Sequence, residues 1–157
     1  MRSVAILGAT GEVGQKFILS LQDHPWFRVE ELYASARSAG RTYAEALGYG
    51  REGSRWFYRE QPKPEILEME VKSLEEIGNE ASFFFSALPS EVALEIEGKV
   101  AKEKPVVSTA SAYRYFEDSF TYLPSVNESH APVIEEQRRR RGWKGFVVPQ
   151  PNCTTIG

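Results

Sequence analysis

The residues best suited to chemistry lie near the end of the sequence, where the single cysteine, Cys153, follows Asn152. The apolar run 145–148 predicts a buried strand, and Pro149 and Pro151 predict its end, because proline donates no hydrogen bond to a sheet. Asn152 then stands where a helix N-cap would be. A thiol beside it would face the free N–H groups of a helix start, which favour a thiolate and can hold a developing oxyanion. The alternative is a small buried apolar side chain, the commoner state of a single cysteine.

A glycine-rich loop near the start of the chain is the second candidate site. The apolar run 3–7 predicts a central parallel strand, and Phe17, Ile18 and Leu21 recur at helical spacing after it. Glycines 8, 11 and 14 lie between this strand and this helix, which is the context of a dinucleotide-binding fingerprint. The alternative is a glycine-rich turn kept only for packing.

The second predicted strand covers residues 27–34, and the turn that follows it bears on which dinucleotide would bind. An NAD-binding unit places an acidic residue here to take the ribose 2′-hydroxyl. This chain has Arg37 and Ser38 and no carboxylate in the turn, so the sequence favours NADP over NAD. The alternative is that Arg37 is a solvated loop cation.

Strand and helix patterns alternate through the rest of the chain. Apolar runs at 81–87 and 105–108 predict strands, with a helix between them for which Ser90 is the expected N-cap. This alternation predicts an α/β fold of the Rossmann type, a doubly wound, mostly parallel sheet with helices on both faces. Ligands gather at the carboxyl ends of strands in such sheets, where five residues fall: Gly8, Ser35, Ser86, Ser108 and Cys153.

Other segments allow weaker predictions. Arg114, which ends a polar loop after Ser108, would either bind a phosphate or carboxylate beside the thiol or form a surface ion pair. Residues 41–64 indicate an insertion or hairpin with a short strand at 56–58, followed by a strand at 70–72 and a short helix from 73. Residues 127–141 predict one capped helix that ends in four arginines, interpreted as a solvated helix end rather than a nucleic-acid surface.

Composition limits the class of protein. The 157 residues suit one domain, and the net charge of −3 argues against a general nucleic-acid binder. One cysteine cannot form an internal disulfide, no apolar stretch is long enough for a membrane span, and no metal-ligand motif occurs. We therefore expect a cytoplasmic protein.

Residues 8–14, 34–40, 124–127 and 144–156 resemble aspartate-semialdehyde dehydrogenase, and the resemblance runs from Val4 to Gly157. It implies NADP-dependent conversion of L-aspartyl 4-phosphate to aspartate 4-semialdehyde through a Cys153 thioester, in the biosynthesis of lysine, threonine and methionine. It implies phosphate or acyl-phosphate binding by Arg114 and Asn152, with Asn152 also in the catalytic site. The residues expected to bind NADP are Gly8, Thr10, Gly11, Glu12, Val13, Arg37, Ser38 and Ser86.

The resemblance is incomplete in two respects. Thr109, Ser125 and Gln150 depart from the family's usual residues, which affects the expected phosphate pocket. The family also continues into a second domain that supplies the general base, the substrate-carboxylate ligands and most of a homo-oligomer contact. We therefore expect 1–150 to be the NADP-binding domain and 151–157 the start of a catalytic domain whose remainder is absent. The alternatives are a reductase of N-acetylglutamyl phosphate or malonyl-CoA, or a non-catalytic nucleotide-binding module.

Overall fold

The computed structural model describes residues 1–156, which divide into two compact units. The first unit is Met1–Ala87, and the second begins at Leu88. The strands are β1 (Arg2–Leu7), β2 (Phe27–Ala34), β3 (Arg41–Thr42), β4 (Glu70–Ser73), β5 (Phe83–Ser86), β6 (Pro105–Ser108) and β7 (Phe146–Pro149). The α-helices are α1 (Glu12–Leu21), α2 (Tyr43–Leu47), α3 (Pro64–Leu67), α4 (Ser90–Ala101), α5 (Val133–Arg141) and α6 (Cys153–Ile156).

The first unit is built on five strands in the order β3-β4-β2-β1-β5. All neighbours are parallel except β3 and β4. In β1 the side chains of 4–7 are completely buried, as expected for a central strand covered on both faces. Leu7 is in register with Tyr33 of β2 and with Ser86 of β5, so the carboxyl ends of three strands lie side by side. The predicted mostly parallel α/β class is confirmed.

The core of this unit joins the sheet to α1 and α2. It contains Val4, Ile6, Ile18, Leu21, Leu32, Tyr43, Leu47 and Val71, each at most 6% exposed. Phe17, Phe27, Phe83 and Phe85 pack against this cluster as partly buried rings. Because α1 buries its apolar face here, its first turn is fixed at the end of β1.

The segment 41–67, which joins β3, α2 and α3, differs most from expectation. A capping box between Thr42 and Glu45 begins α2, and α3 begins at Pro64. The predicted strand at 56–58 is wrong, because the backbone N–H of Phe57 donates to the Gln15 side chain rather than to another strand. The predicted strand at 70–72 is confirmed as β4, and a single 3₁₀ turn, Leu74–Glu76, follows it.

The second unit contains a parallel pair, β6 and β7, with α4 and α5 packed on it. Ser90 is not the N-cap of α4: that position is Pro89, and the Ser90 hydroxyl lies 2.7 Å from that of Ser111. The single helix predicted over 127–141 is also wrong. A 3₁₀ turn, Glu128–His130, precedes α5, and Pro132 separates them because proline has no N–H to continue a helix.

The four arginines lie in the last turns of α5, as predicted. Each pairs with a carboxylate: Arg138 with Glu135, Arg139 with Glu136, Arg140 with Glu136 and Glu117, and Arg141 with Asp118. Arg141 donates two hydrogen bonds, of 2.5 and 2.8 Å, to the buried carboxylate of Asp118. These bonds hold the pKa of that carboxyl below its usual value. No helix in residues 1–156 combines the length and apolar character needed to cross a membrane.

Candidate functional sites for a dinucleotide and a thiol

The glycine-rich loop leaves β1 through a tight turn at Gly8, whose φ of 79° favours glycine. The N–H groups of Gly8 and Ala9 both donate to the carbonyl of Tyr33, at 2.9 and 3.0 Å. The N–H of Gly11 donates back to Gly8 at 3.1 Å. These bonds attach the loop to the end of β2 and close it on itself.

The loop delivers the chain directly into α1, with Gly11 at the N-cap. A Cβ on Gly14 would lie 2.2 Å from the Gly8 carbonyl oxygen, so only glycine permits this approach of helix to loop. The first N–H groups of α1 have no intrahelical acceptor, which makes this helix start suited to a pyrophosphate. Glu12 and Val13 in this first turn are exposed, and Thr10 is half-buried. The predicted strand–loop–helix arrangement is therefore present.

The turn at 35–40 follows β2 at the same edge. The N–H of Ser38 donates to the Ser35 carbonyl at 2.8 Å, and Gly40 turns the chain back with a φ of 75°. Arg37 is exposed, whereas Ser38 is only 3% exposed. Arg37 is therefore accessible to a ligand, as its predicted role requires, whereas Ser38 is packed into the turn.

Ser86 ends β5 beside the glycine-rich loop. It is in register with Leu7, and the N–H of Ala87 donates to the Leu7 carbonyl at 2.9 Å. Its side chain is completely buried. Gly8, Ser35 and Ser86 therefore lie at the carboxyl ends of three adjacent parallel strands, as the sequence predicted.

Cys153 lies in the second unit, at the start of α6, and is exposed. The alternative that it is a buried apolar residue is therefore wrong. The Asn152 side-chain oxygen accepts from the Thr154 N–H at 3.0 Å and the Thr154 hydroxyl at 2.9 Å, which confirms the predicted capping role. The Cys153 Sγ lies 3.5 Å from the same oxygen. One amide thus fixes both the turn and the thiol.

Arg114 connects the ends of β6 and β7. Its Nε donates to the Gln150 carbonyl at 2.9 Å and its Nη2 to the Thr109 carbonyl at 3.0 Å. Two of its five N–H donors are thereby used within the protein. One of the two acceptors, Gln150, lies three residues before Cys153 in the sequence. The surface ion pair considered for it is not formed among the described residues, where its hydrogen bonds go to these carbonyls.

Two of the three departures from the family pattern meet Arg114 through backbone atoms. Thr109 and Gln150 each offer a main-chain carbonyl to it, so these bonds do not depend on which side chains occupy the two positions. Ser125 adopts a φ of 62°, and its N–H donates to Glu128. A serine tolerates this left-handed turn less readily than glycine or asparagine.

Sequence reasoning missed several buried polar residues, among them Gln15, Tyr43 and Glu97. Gln15 and Tyr43 bond the glycine-rich loop, and Glu97 of α4 accepts from the Ser108 hydroxyl at 2.5 Å. Their positions in the sequence carry no motif, although Gln15 directly follows the last glycine of the fingerprint. Within residues 1–156, no group of three or more histidine, cysteine or carboxylate side chains has the arrangement of a metal site.

Comparison with known proteins finds similar sequences along almost the whole chain. The family described as semialdehyde dehydrogenase, NAD binding domain, matches residues 3–133. The aspartate-semialdehyde dehydrogenase of Archaeoglobus fulgidus is 44% identical over 98% of this chain and 43% of its own length. A malonyl CoA reductase (NADP) of Metallosphaera sedula is 36% identical over 98% of this chain and 41% of its own length.

A solved structure gives the same relationship. The aspartate-semialdehyde dehydrogenase of Candida albicans with NADP superposes with a TM-score of 0.84 at 34% identity, covering 100% of this chain and 44% of that one. The chain therefore spans less than half the length of each of these relatives.

Proposed function

Because the chain belongs to the semialdehyde dehydrogenase NAD-binding domain family, we propose that it provides the NADP site and the nucleophile of an aspartate-semialdehyde dehydrogenase. The proposed reaction is the reductive dephosphorylation of L-aspartyl 4-phosphate to L-aspartate 4-semialdehyde. One observation carries the proposal: an exposed thiol, capped by Asn152, accompanies a glycine-rich loop that opens a helix. Relatives that cover nearly the whole chain bear this enzyme's name.

Cys153 would act as a covalent nucleophile. Its thiolate attacks the acyl carbon of aspartyl phosphate, the carbon–oxygen bond to phosphate breaks, and a thioester remains. Hydride addition to the thioester carbon gives a thiohemiacetal, which releases the aldehyde and regenerates the thiolate once the oxygen loses its proton. NADPH supplies that hydride when bound. Arg114, already anchored to two carbonyls, offers its remaining N–H donors to the phosphate.

The preference for NADP rests on Arg37. Titrating the chain with NADP and with NAD should show tighter binding of NADP, and Arg37→Ala should remove most of the difference while leaving NAD affinity nearly unchanged. Arg51→Ala is a matched control, because Arg51 is also an exposed turn arginine of the first unit. Equal affinities of the unmutated chain for the two dinucleotides would contradict the assignment.

The competing proposal of a non-catalytic module predicts an ordinary thiol. An enzyme nucleophile at Cys153 should react with iodoacetamide near neutral pH faster than a free cysteine does, and Asn152→Ala should slow the reaction. Because the chain has one cysteine, Cys153→Ser supplies the zero-labelling control. A rate equal to that of free cysteine would favour the module.

A second candidate substrate is malonyl-CoA, favoured by the similarity to the reductase of Metallosphaera sedula. Assaying the complete gene product with aspartyl phosphate, malonyl-CoA and N-acetylglutamyl phosphate distinguishes the three. We expect NADPH oxidation with the first alone. Turnover of malonyl-CoA without turnover of aspartyl phosphate would replace the aspartate assignment.

The proposal also includes a homo-oligomeric state, which the resemblance supports, and a cytoplasmic location, which the composition supports. Light scattering of the purified complete protein, and fractionation of the cells that make it, test the two separately. A monomer that turns over at the full rate would contradict the first.

A further inference from the structure

Two carbonyl oxygens of the glycine-rich loop are bound by buried side chains. The Tyr43 hydroxyl donates to the Ala9 carbonyl at 2.7 Å, and the Gln15 amide donates to the Thr10 carbonyl at 3.1 Å. Tyr43 and Gln15 are both completely buried. Burial also raises the pKa of Tyr43, so its hydroxyl keeps the proton that it donates.

Gln15 has only one amide orientation that satisfies its neighbours. Its Nε2 donates both to Thr10 and to the Arg55 carbonyl, at 2.8 Å, while its Oε1 accepts from the Phe57 N–H at 3.0 Å. Reversing the amide would place its oxygen against the two carbonyl oxygens and its NH₂ group against the Phe57 N–H. The glycine-rich loop and the irregular part of segment 41–67 are therefore held by the same side chain.

The direction of these carbonyls fixes the direction of the neighbouring N–H groups. A trans peptide is planar, so its carbonyl and its N–H point to opposite sides. Because Ala9 turns its carbonyl to Tyr43, the N–H of Thr10 points away from Tyr43. The next peptide turns its carbonyl to Gln15, and its N–H, that of Gly11, closes the turn onto Gly8.

We propose that Tyr43 and Gln15 are positioning residues for the dinucleotide, which hold the glycine-rich loop in the form that presents the Thr10 N–H and the first N–H groups of α1 to the pyrophosphate. This inference rests on the proposed dinucleotide site. It gives segment 41–67 a role: α2 supplies the tyrosine hydroxyl, and the backbone at 55–57 orients the glutamine amide. Neither side chain needs to touch the ligand.

The test compares two ligands. NADP contains the pyrophosphate, whereas adenosine 2′-monophosphate carries the 2′-phosphate without it. Tyr43→Phe and Gln15→Met should each weaken NADP binding about tenfold, because each leaves a loop carbonyl without its donor. Binding of adenosine 2′-monophosphate, followed by NMR titration, should stay unchanged. Tyr113→Phe is the matched control, since it removes a hydroxyl bond of 2.9 Å to the Leu94 carbonyl in the second unit.

The outcomes separate the inference from the function on which it rests. Failure of the unmutated chain to bind NADP would overturn both. Undiminished NADP binding by Tyr43→Phe, or an equal loss for both ligands, would overturn the inference alone, because a general loss of structure moves both affinities together. Should Gln15→Met fail to fold, Tyr43→Phe, which removes one oxygen atom, still decides between these results.

Discussion

Replacing Gly14 by alanine would place a methyl group against the backbone of the glycine-rich loop. The new Cβ would lie 2.2 Å from the Gly8 carbonyl oxygen and 2.9 Å from the Ala9 Cα. Ordinary contact begins near 3.4 Å, so loop and helix would have to separate by more than an ångström. Neither partner moves easily, because Gly8 and Ala9 are bonded to Tyr33 and α1 is packed in the core.

The loss of stability in Gly14→Ala depends on which atoms the new methyl group contacts. Overpacking against side chains costs about 1–3 kcal/mol, and here the obstacle is backbone that cannot rotate aside. We expect Gly14→Ala to destabilise the chain by about 3 kcal/mol, a fall in Tm of roughly 6–12 °C. NADP binding should weaken more than tenfold, since the helix start and the loop no longer form one surface.

Two further alanine variants make this prediction specific. Gly11→Ala meets only the Gly8 oxygen, at 3.5 Å, so it should fold normally and lose affinity only if the pyrophosphate approaches that backbone. Gly78→Ala meets nothing within 4 Å and should match the unmutated chain in both thermal unfolding and NADP titration. A Gly14→Ala chain as stable as Gly78→Ala would refute the close approach of helix to loop.

Three other predictions concern charged residues. Asp118→Asn should lower the free energy of unfolding by about 2 kcal/mol at pH 7. Because Arg141 lowers the folded-state pKa of Asp118, the difference in stability between variant and unmutated chain, measured by urea unfolding, should shrink as the pH falls below about 4. Glu12→Gln should tighten NADP binding about threefold at low salt, with the gain fading in titrations at higher ionic strength. Inorganic phosphate should protect Cys153 against iodoacetate, and Arg114→Lys should abolish that protection, because one ammonium cannot hold both carbonyls and an anion. Wild-type protection in that variant would contradict the anion role.

The strands were predictable where apolar residues follow one another without interruption or alternate with polar ones. The span 27–34 matches β2, and β1 and β6 follow their apolar runs closely. A continuous apolar run bounded by glycine or a charged residue leaves few other structures. The single helix predicted over 127–141 does not form because Pro132 interrupts it, whatever the periodicity of the residues around it.

The candidate sites were predictable in position but not in exposure. The turn after β2 and the thiol after β7 lie where the sequence places them. That Ser38 is buried while Arg37 is exposed depends on how the turn packs, which no local pattern encodes. Segment 41–67 was unpredictable for the same reason: Gln15, from another part of the chain, supplies the hydrogen bonds that a strand would have made.

The side chain of Gln137 occupies the position that a neighbouring strand would take along β7. Its Oε1 accepts from the Val147 N–H at 2.8 Å and its Nε2 donates to the Val147 carbonyl at 3.1 Å, so one buried amide reproduces a rung of a sheet ladder. Further along the strand, the Tyr122 N–H donates a hydrogen bond to the Pro149 carbonyl. A strand edge with free hydrogen-bonding groups is a template on which other copies of a chain can aggregate. With these groups occupied from within, the outer edge of β7 offers few free groups to which a second copy could add a strand, and neither a charge nor an extra proline is needed there to block that addition.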